Sequence, residues 1–329
     1  MEEQAVTSPL DGLVIKQQSG FFTVATDRGT YVCQLRGRLK EEAARRRRRD
    51  DEDPTALCTI GDRVTIEARP DGTGLIDRVH PRQRVLSRAD HAGGRTTLQQ
   101  GREQVIIANA DQAIFVFAAS HPDPNPRVLD RLIVAAEKGG IPIIRVVCNK
   151  VDLVPLAEAR AIFDLYEQLG YPVLYTSAKT GQGVDELRER LTGYISVFTG
   201  PSGVGKTSLL NAVQPELGLR VAAVSAATAK GRHTTVHREL FPLDGGGYVA
   251  DTPGIRSIGI WDVEPWELEA YFVDIAPHVA GCQFADCTHD HEPGCAVRAA
   301  VARGEIDERR YDSFLRLREA IEETYEDWV

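Results

Sequence analysis

The chain has 329 residues, 42% of them hydrophobic and 26% charged, with a formal net charge of −9. At roughly 100–200 residues per domain, this length predicts two or three domains, and the near-average composition excludes disordered and collagen-like classes. No apolar run approaches the ~18 residues of a membrane helix, and the acidic opening MEEQAVTSPLDG lacks a hydrophobic leader, so a cytoplasmic protein without membrane association is expected.

Residues 10–80 read as five short strands, LVIKQQ, FFTVAT, TYVCQLR, DRVTIEA and GLIDRVH, separated by turns at Ser19-Gly20, Asp27-Arg28-Gly29 and Pro70-Asp71-Gly72. Five strands in so short a segment suit a closed barrel of the oligonucleotide-binding type, although a small sandwich fits the pattern nearly as well. Between the third and fourth strands, residues 36–49 carry eight positive and two negative charges, ending in Arg45 to Arg49 before an acidic DDED. Such a run is either a solvated loop or a phosphate-binding arm. Cys33, Cys58 and Cys148 stand in apolar contexts and read as core thiols.

Residues 82–103 are polar, carry five arginines and show no sustained period, which reads as a linker. From residue 105 strands alternate with amphipathic helices, the mark of an α/β domain with a mostly parallel sheet. VIIANADQAIFVFAA reads as strand, VLDRLIVAAEKGG as helix, IPIIRVVCNK as buried strand and EARAIFDLYEQLG as helix. PVLYTSA and Ile195–Thr199 read as further strands, with GVDELRERLTGY a helix between them and another beginning near Lys206. The pattern fades after Trp261, and the tail reads as short helices around a Cys/His cluster. The expected organisation is a barrel over 1–83, a linker over 84–103, an α/β nucleotide domain over 104–265 and a metal-binding tail over 266–329.

The strongest motif is Gly200-Pro201-Ser202-Gly203-Val204-Gly205-Lys206-Thr207, a full GxxxxGK[ST] match between an apolar strand and a helix opening at Ser208. Its glycines let backbone N–H groups turn toward phosphates at a helix N-terminus. Lys206 would reach the β- and γ-phosphates, and the Thr207 hydroxyl would bind Mg²⁺. Downstream, Asp251-Thr252-Pro253-Gly254 follows the strand-like GGYVA, placing a carboxylate for Mg²⁺ and the Gly254 N–H for a γ-phosphate. Two further motifs end strands: Asn149-Lys150-Val151-Asp152 and Ser177-Ala178-Lys179. Asp152 can accept from the N1 and N2 of guanine, which adenine does not offer, and such buried pairing can discriminate by ~10⁴ or more. Asn149 would tie the nucleotide loops together, Lys150 would lie along the base, and the Ala178 N–H would meet guanine O6. Together these motifs specify a GTPase, with Mg²⁺ accompanying GTP.

In the tail, Cys282, Cys287, His289 and Cys295 supply three thiolates and an imidazole, a closed set suited to structural Zn²⁺. Spacing leaves the neighbouring His291 open as a ligand, and Asp286, Asp290 and Glu292 read as solvated charges.

The motif order is unusual, because the base-reading loops precede the phosphate loop and DTPG. A circular permutation can preserve the spatial site while moving the chain ends. Across ANADQAIFVFA, NKVD, SAK, GPSGVGKTSLLN, GRHTT, DTPGIRSIGIW and CQFADCTHDHEPGCAV, nearly the whole chain resembles the bacterial circularly permuted ribosome small subunit-dependent GTPase A family. The resemblance implies a multidomain α/β protein: an N-terminal oligonucleotide-binding barrel, a permuted phosphate-loop GTPase and a C-terminal zinc domain. It also implies late maturation of the small ribosomal subunit, contact with its rRNA and ribosome-stimulated hydrolysis, and it selects His289 over His291. Ile255 stands where many GTPases carry a water-orienting glutamine, and the resemblance points to His233 as its substitute; His233 could equally contact RNA or pack its loop. Thr235, with Thr234 as runner-up, is the expected switch threonine for Mg²⁺ and γ-phosphate. Val236 departs from the family's frequent third threonine, and the long arginine tract looks like a local elaboration. The resulting expectation is a monomeric GTP-hydrolysing assembly factor, with a non-catalytic, GTP-sensing RNA-binding module as the alternative.

Overall fold

The computed structural model describes residues 9–41, 57–90, 102–219, 238–251 and 263–326. Strands β1 (Pro9–Gln18), β2 (Phe21–Thr26), β3 (Gly29–Leu35), β4 (Arg63–Ala68) and β5 (Thr73–Val79) run in the order β1-β2-β3-β5-β4. β4 returns to β1 in antiparallel register, Leu10 opposite Ile66, while β3 and β5 pair in parallel. That return pairing closes the barrel and excludes the sandwich. Alternate residues, among them Val14, Val24, Cys33, Val64, Ile66 and Ile76, fill its interior, as a period of two requires. Burial raises the Cys33 thiol to about 11, so it stays protonated and inert. The Arg45–Arg49 tract lies outside the described residues.

The segment read as linker contains a strand, β6 (Val85–Asp90), paired antiparallel with β7 (Arg102–Ala108). Its order comes from a distant partner, which no local period reports. The single strand expected across VIIANADQAIFVFAA is two, β7 and β8 (Gln112–Ala118). The break falls at Asn109, whose backbone is left-handed (φ 51°). Its side chain donates to the Gly61 carbonyl at 3.1 Å and accepts from the Gln83 N–H at 2.9 Å, bonds that hold the turn.

The remaining elements alternate: α1 (Pro126–Lys138), β9 (Ile143–Asn149), α2 (Leu156–Gln168), β10 (Val173–Tyr175), α3 (Val184–Leu191), β11 (Ile195–Thr199) and α4 (Lys206–Val213). β12 (Arg238–Pro242) and β13 (Tyr248–Asp251) complete a sheet ordered β10-β9-β8-β11-β13-β12, parallel except for β12. Every residue of β8 is buried, as expected of a central parallel strand. One core packs α1 and α2 on the sheet through Leu129, Ile133 and Phe163; another packs α3 and α4 through Leu187, Leu209 and Leu210. β12 also pairs with β1, where Lys16 and Glu239 form an ion pair at 2.9 Å, so barrel and sheet are hydrogen-bonded to one another.

The tail departs from a set of short helices. After α5 (Ala296–Ala302) comes α6 (Glu308–Glu326), a helix of 19 residues. Its inward stripe is Arg310, Phe314 and Ile321, all buried. An arginine at a core position breaks the apolar period, which hides the helix from a hydrophobicity reading. Arg310 meets Asp130 of α1 at 2.5 Å and Asp274 at 2.9 Å, and it lies 4.4 Å above the Phe272 ring. Burial opposes its charge, but the two carboxylates more than offset this and raise its pKa. Among the described residues, no helix is long and apolar enough to cross a membrane.

Candidate functional site: a nucleotide cleft and a thiolate–imidazole cluster

The phosphate loop leaves β11 between β8 and β13, where parallel-strand termini open a crevice. Gly200 is the only residue type this turn accepts. Its φ is 147°, and a Cβ there would come 2.0 Å from the Val116 carbonyl oxygen. Gly205 (φ 92°) starts α4, and a Cβ on it would press 2.7 Å from Nδ2 of Asn149. Both close approaches thus bring backbone, not side chain, to the cleft. Val204 is buried and anchors the loop, whereas Ser202 is exposed at its tip. Lys206 crosses the loop, its Nζ donating to the Gly200 and Pro201 carbonyls at 2.8 Å each. Thr207 and Ser208 occupy the first turn of α4, at the positive end of the helix dipole.

Asn149, at the end of β9, is 1% exposed and ties three segments together. Its Nδ2 donates to the Val204 carbonyl at 2.9 Å; its Oδ1 accepts from the Thr176 hydroxyl and the Ala178 N–H, each at 3.2 Å. Lys150 is left-handed (φ 64°) and spans the cleft edge, donating to the Gly203 carbonyl at 2.7 Å and to the His121 carbonyl. Val151 is buried beneath this corner. The Ser177 hydroxyl donates to Oδ1 of Asp152 at 2.7 Å, and Lys179 Nζ lies 3.9 Å from Oδ2. The carboxylate is therefore held in one orientation, able to accept two adjacent N–H groups from a purine edge. The His121 carbonyl, in the β8–α1 loop, had no sequence signal, because any residue type supplies a carbonyl.

Asp251 ends β13 with its backbone opposite Phe198 and next to the phosphate loop. His233, Thr234, Thr235, Gly254 and Ile255 lie outside the described residues.

Some distance along the chain, one ligand atom from each of Cys282, Cys287, His289 and Cys295 lies within 4.8 Å of all the others. His289 Nδ1 stands 3.5 Å from both Cys282 Sγ and Cys295 Sγ. The donor chemistry and mutual spacing fit a tetrahedral soft-metal site with no position left for a substrate. His291 stays outside, exposed beside Asp290. Glu292 is not simply solvated: it accepts from the Thr288 N–H at 2.7 Å, the Thr288 hydroxyl and the His291 N–H. Slight burial works against ionisation, but these bonds prevail and lower its pKa to about 2. It therefore ties down the loop that carries the ligands.

Comparisons with known proteins identify the family and the fold. The RsgA GTPase family model matches residues 79–261, and the RsgA N-terminal domain model matches residues 11–76. The small ribosomal subunit biogenesis GTPase RsgA of Gemmatimonas aurantiaca is 43% identical, over 96% of this chain and 99% of that protein. The protein of the same name from Bacteroides fragilis is 38% identical, over 95% and 98%. Among solved structures, YjeQ from Thermotoga maritima superposes with a TM-score of 0.75 at 34% identity, covering 95% of this chain and 99% of that one. YloQ, described as a circularly permuted GTPase, gives 0.70 at 29% identity, with 98% of both chains covered. On the fold, the ordered loops around the cleft and these matches, the chain belongs to the RsgA GTPase family.

Proposed function

We propose that this GTPase serves maturation of the small ribosomal subunit, binding the subunit and its rRNA and hydrolysing GTP in response. The observation that carries the guanine reading is the Asn149 node, which locks the NKVD, SAK and phosphate loops into one cleft. In this reading the 200–208 loop cradles the phosphates and Lys206 leaves its two carbonyl partners for the β- and γ-oxygens. Asp152 and the Ala178 N–H read the base. Thr207, Thr235 and Asp251 hold Mg²⁺, which when bound neutralises charge developing between the β- and γ-phosphates. The Gly254 N–H meets the γ-phosphate and His233 orients water. The barrel, residues 1–83, faces RNA, with Arg45 to Arg49 adding phosphate contacts. Residues 266–329 form the zinc unit.

GTP hydrolysis measured with and without purified small subunits tests this reading, together with sedimentation under GDP and a non-hydrolysable GTP analogue. Subunits should accelerate turnover and co-sediment more tightly with the analogue. A rate indifferent to subunits would leave a nucleotide-sensing RNA binder instead.

The metal makes a separate prediction. Structural zinc contributes about 10–16 kcal/mol to folding, and here it would stabilise a core built from Phe272, Ile275, Val297 and Phe314, which meets the GTPase fold at Val134 of α1. Chelation, or Cys287→Ala, should therefore melt residues 266–329 while GTP affinity stays within a few-fold. Fluorescent-nucleotide titration of the metal-free chain measures this; loss of nucleotide binding would contradict it.

A further inference from the structure

We propose that Glu269 is the outer partner of the zinc site, fixing which nitrogen of His289 faces the metal and tying that site to helix α1. It rests on reading Cys282, Cys287, His289 and Cys295 as a zinc site. The His289 side chain is fully buried, and its Nε2 lies 2.8 Å from Oε2 of Glu269. A carboxylate can only accept here, so the proton sits on Nε2 and the Nδ1 lone pair is left toward the thiolates. The backbone at His289 is left-handed (φ 64°), and the Tyr311 hydroxyl donates to its carbonyl at 2.6 Å. Ring and backbone are thus both held from outside the ligand loop.

The second half of the inference comes from where Glu269 sits. It belongs to a short 3₁₀ turn, Leu268–Tyr271, whose other side grips the GTPase fold. Leu268 shares a core with Val134 of α1. The adjoining Glu267 pairs with Lys138 at the end of α1 (3.1 Å), and Lys138 Nζ lies 5.8 Å from the Tyr271 ring centre. One turn therefore holds the histidine of the metal site and the nucleotide-domain helix at once. An ordered His289 orders Glu269, and through this turn the seat on α1.

The test uses the full chain and zinc as the probe, with retention read against a chromophoric chelator. Outer-shell partners of this kind typically affect metal affinity 10–100-fold. Glu269→Ala should weaken zinc retention by about that factor, whereas Glu269→Gln, whose amide oxygen still accepts from Nε2–H, should recover most of it. Cobalt-loaded forms of both should keep the absorption of a tetrahedral three-sulfur, one-nitrogen site, because no ligand is lost. Glu267→Gln, which cuts only the Lys138 pair, should retain zinc like the wild type. Hydrogen exchange at Leu268–Tyr271 should slow on zinc loading in the wild type but not in Glu269→Ala. Retention within twofold of wild type in Glu269→Ala, or an equal loss in Glu267→Gln, would overturn the proposal. A wild-type chain that takes up no zinc would overturn the metal reading itself.

Discussion

Asp152→Asn is expected to convert a guanine-selective site into one that prefers xanthine nucleotides. The Asp152 carboxylate has its Oδ1 engaged by the Ser177 hydroxyl and the exposed Lys179 near its Oδ2. Guanine offers it N1–H and N2–H donors, two charge-assisted hydrogen bonds at roughly 1.5–3 kcal/mol each. Asparagine keeps an oxygen for Ser177 but turns an NH₂ toward the base, where it opposes a donor on guanine and pairs with the C2 carbonyl of xanthine. GTP affinity should fall by roughly 10²–10⁴-fold, and XTP should become the better ligand. Fold and metal content should not change, since Asn149, which holds the loops together, is untouched. Competition titration with GTP, XTP and ATP decides it. A mutant that keeps its GTP preference would remove Asp152 from the base-reading role.

Arg310→Ala should strongly destabilise the fold although it lies outside the cleft. It would leave Asp130 and Asp274, whose side chains are 1% and 5% exposed, without their cation. Breaking a buried ion cluster by deleting one partner typically costs about 3–5 kcal/mol, because an uncompensated charge stays buried. The Tyr166 hydroxyl, which donates to Asp130 at 2.8 Å, can share only part of that burden. Replacing all three charged residues together, Arg310→Met with Asp130→Leu and Asp274→Leu, should be far milder than the single change and close to neutral. Denaturant unfolding followed by hydrogen exchange in α6 separates these cases. A single mutant as stable as the wild type would show that water reaches the carboxylates. Because the cluster joins α6 to α1, the single mutant should also loosen residues 266–326 from the GTPase fold.

Much of this protein was legible from local spacing. The phosphate loop, the NKVD and SAK corners and the Cys/His tail are each set by residues a few positions apart, so their chemistry survives without knowledge of the fold. Five alternating segments foretold the N-terminal strands, but only the pairing of β4 back to β1 decided between barrel and sandwich. The break at Asn109 was invisible because apolar residues continue on both sides of it; what bends the chain is a bond to Gly61, far away in sequence.

By itself, then, the sequence determined which nucleotide chemistry is encoded and in what permuted order, since guanine reading and phosphate binding depend on residue type at short fixed intervals. The tertiary structure decided how the tail is attached. Arg310 and Asp130 stand 180 residues apart, and Glu269 and His289 stand 20 apart. Along the chain, each of these side chains reads as an ordinary solvated polar group. They acquire meaning only when folding removes the water around them, because burial forces a charge to find its partner.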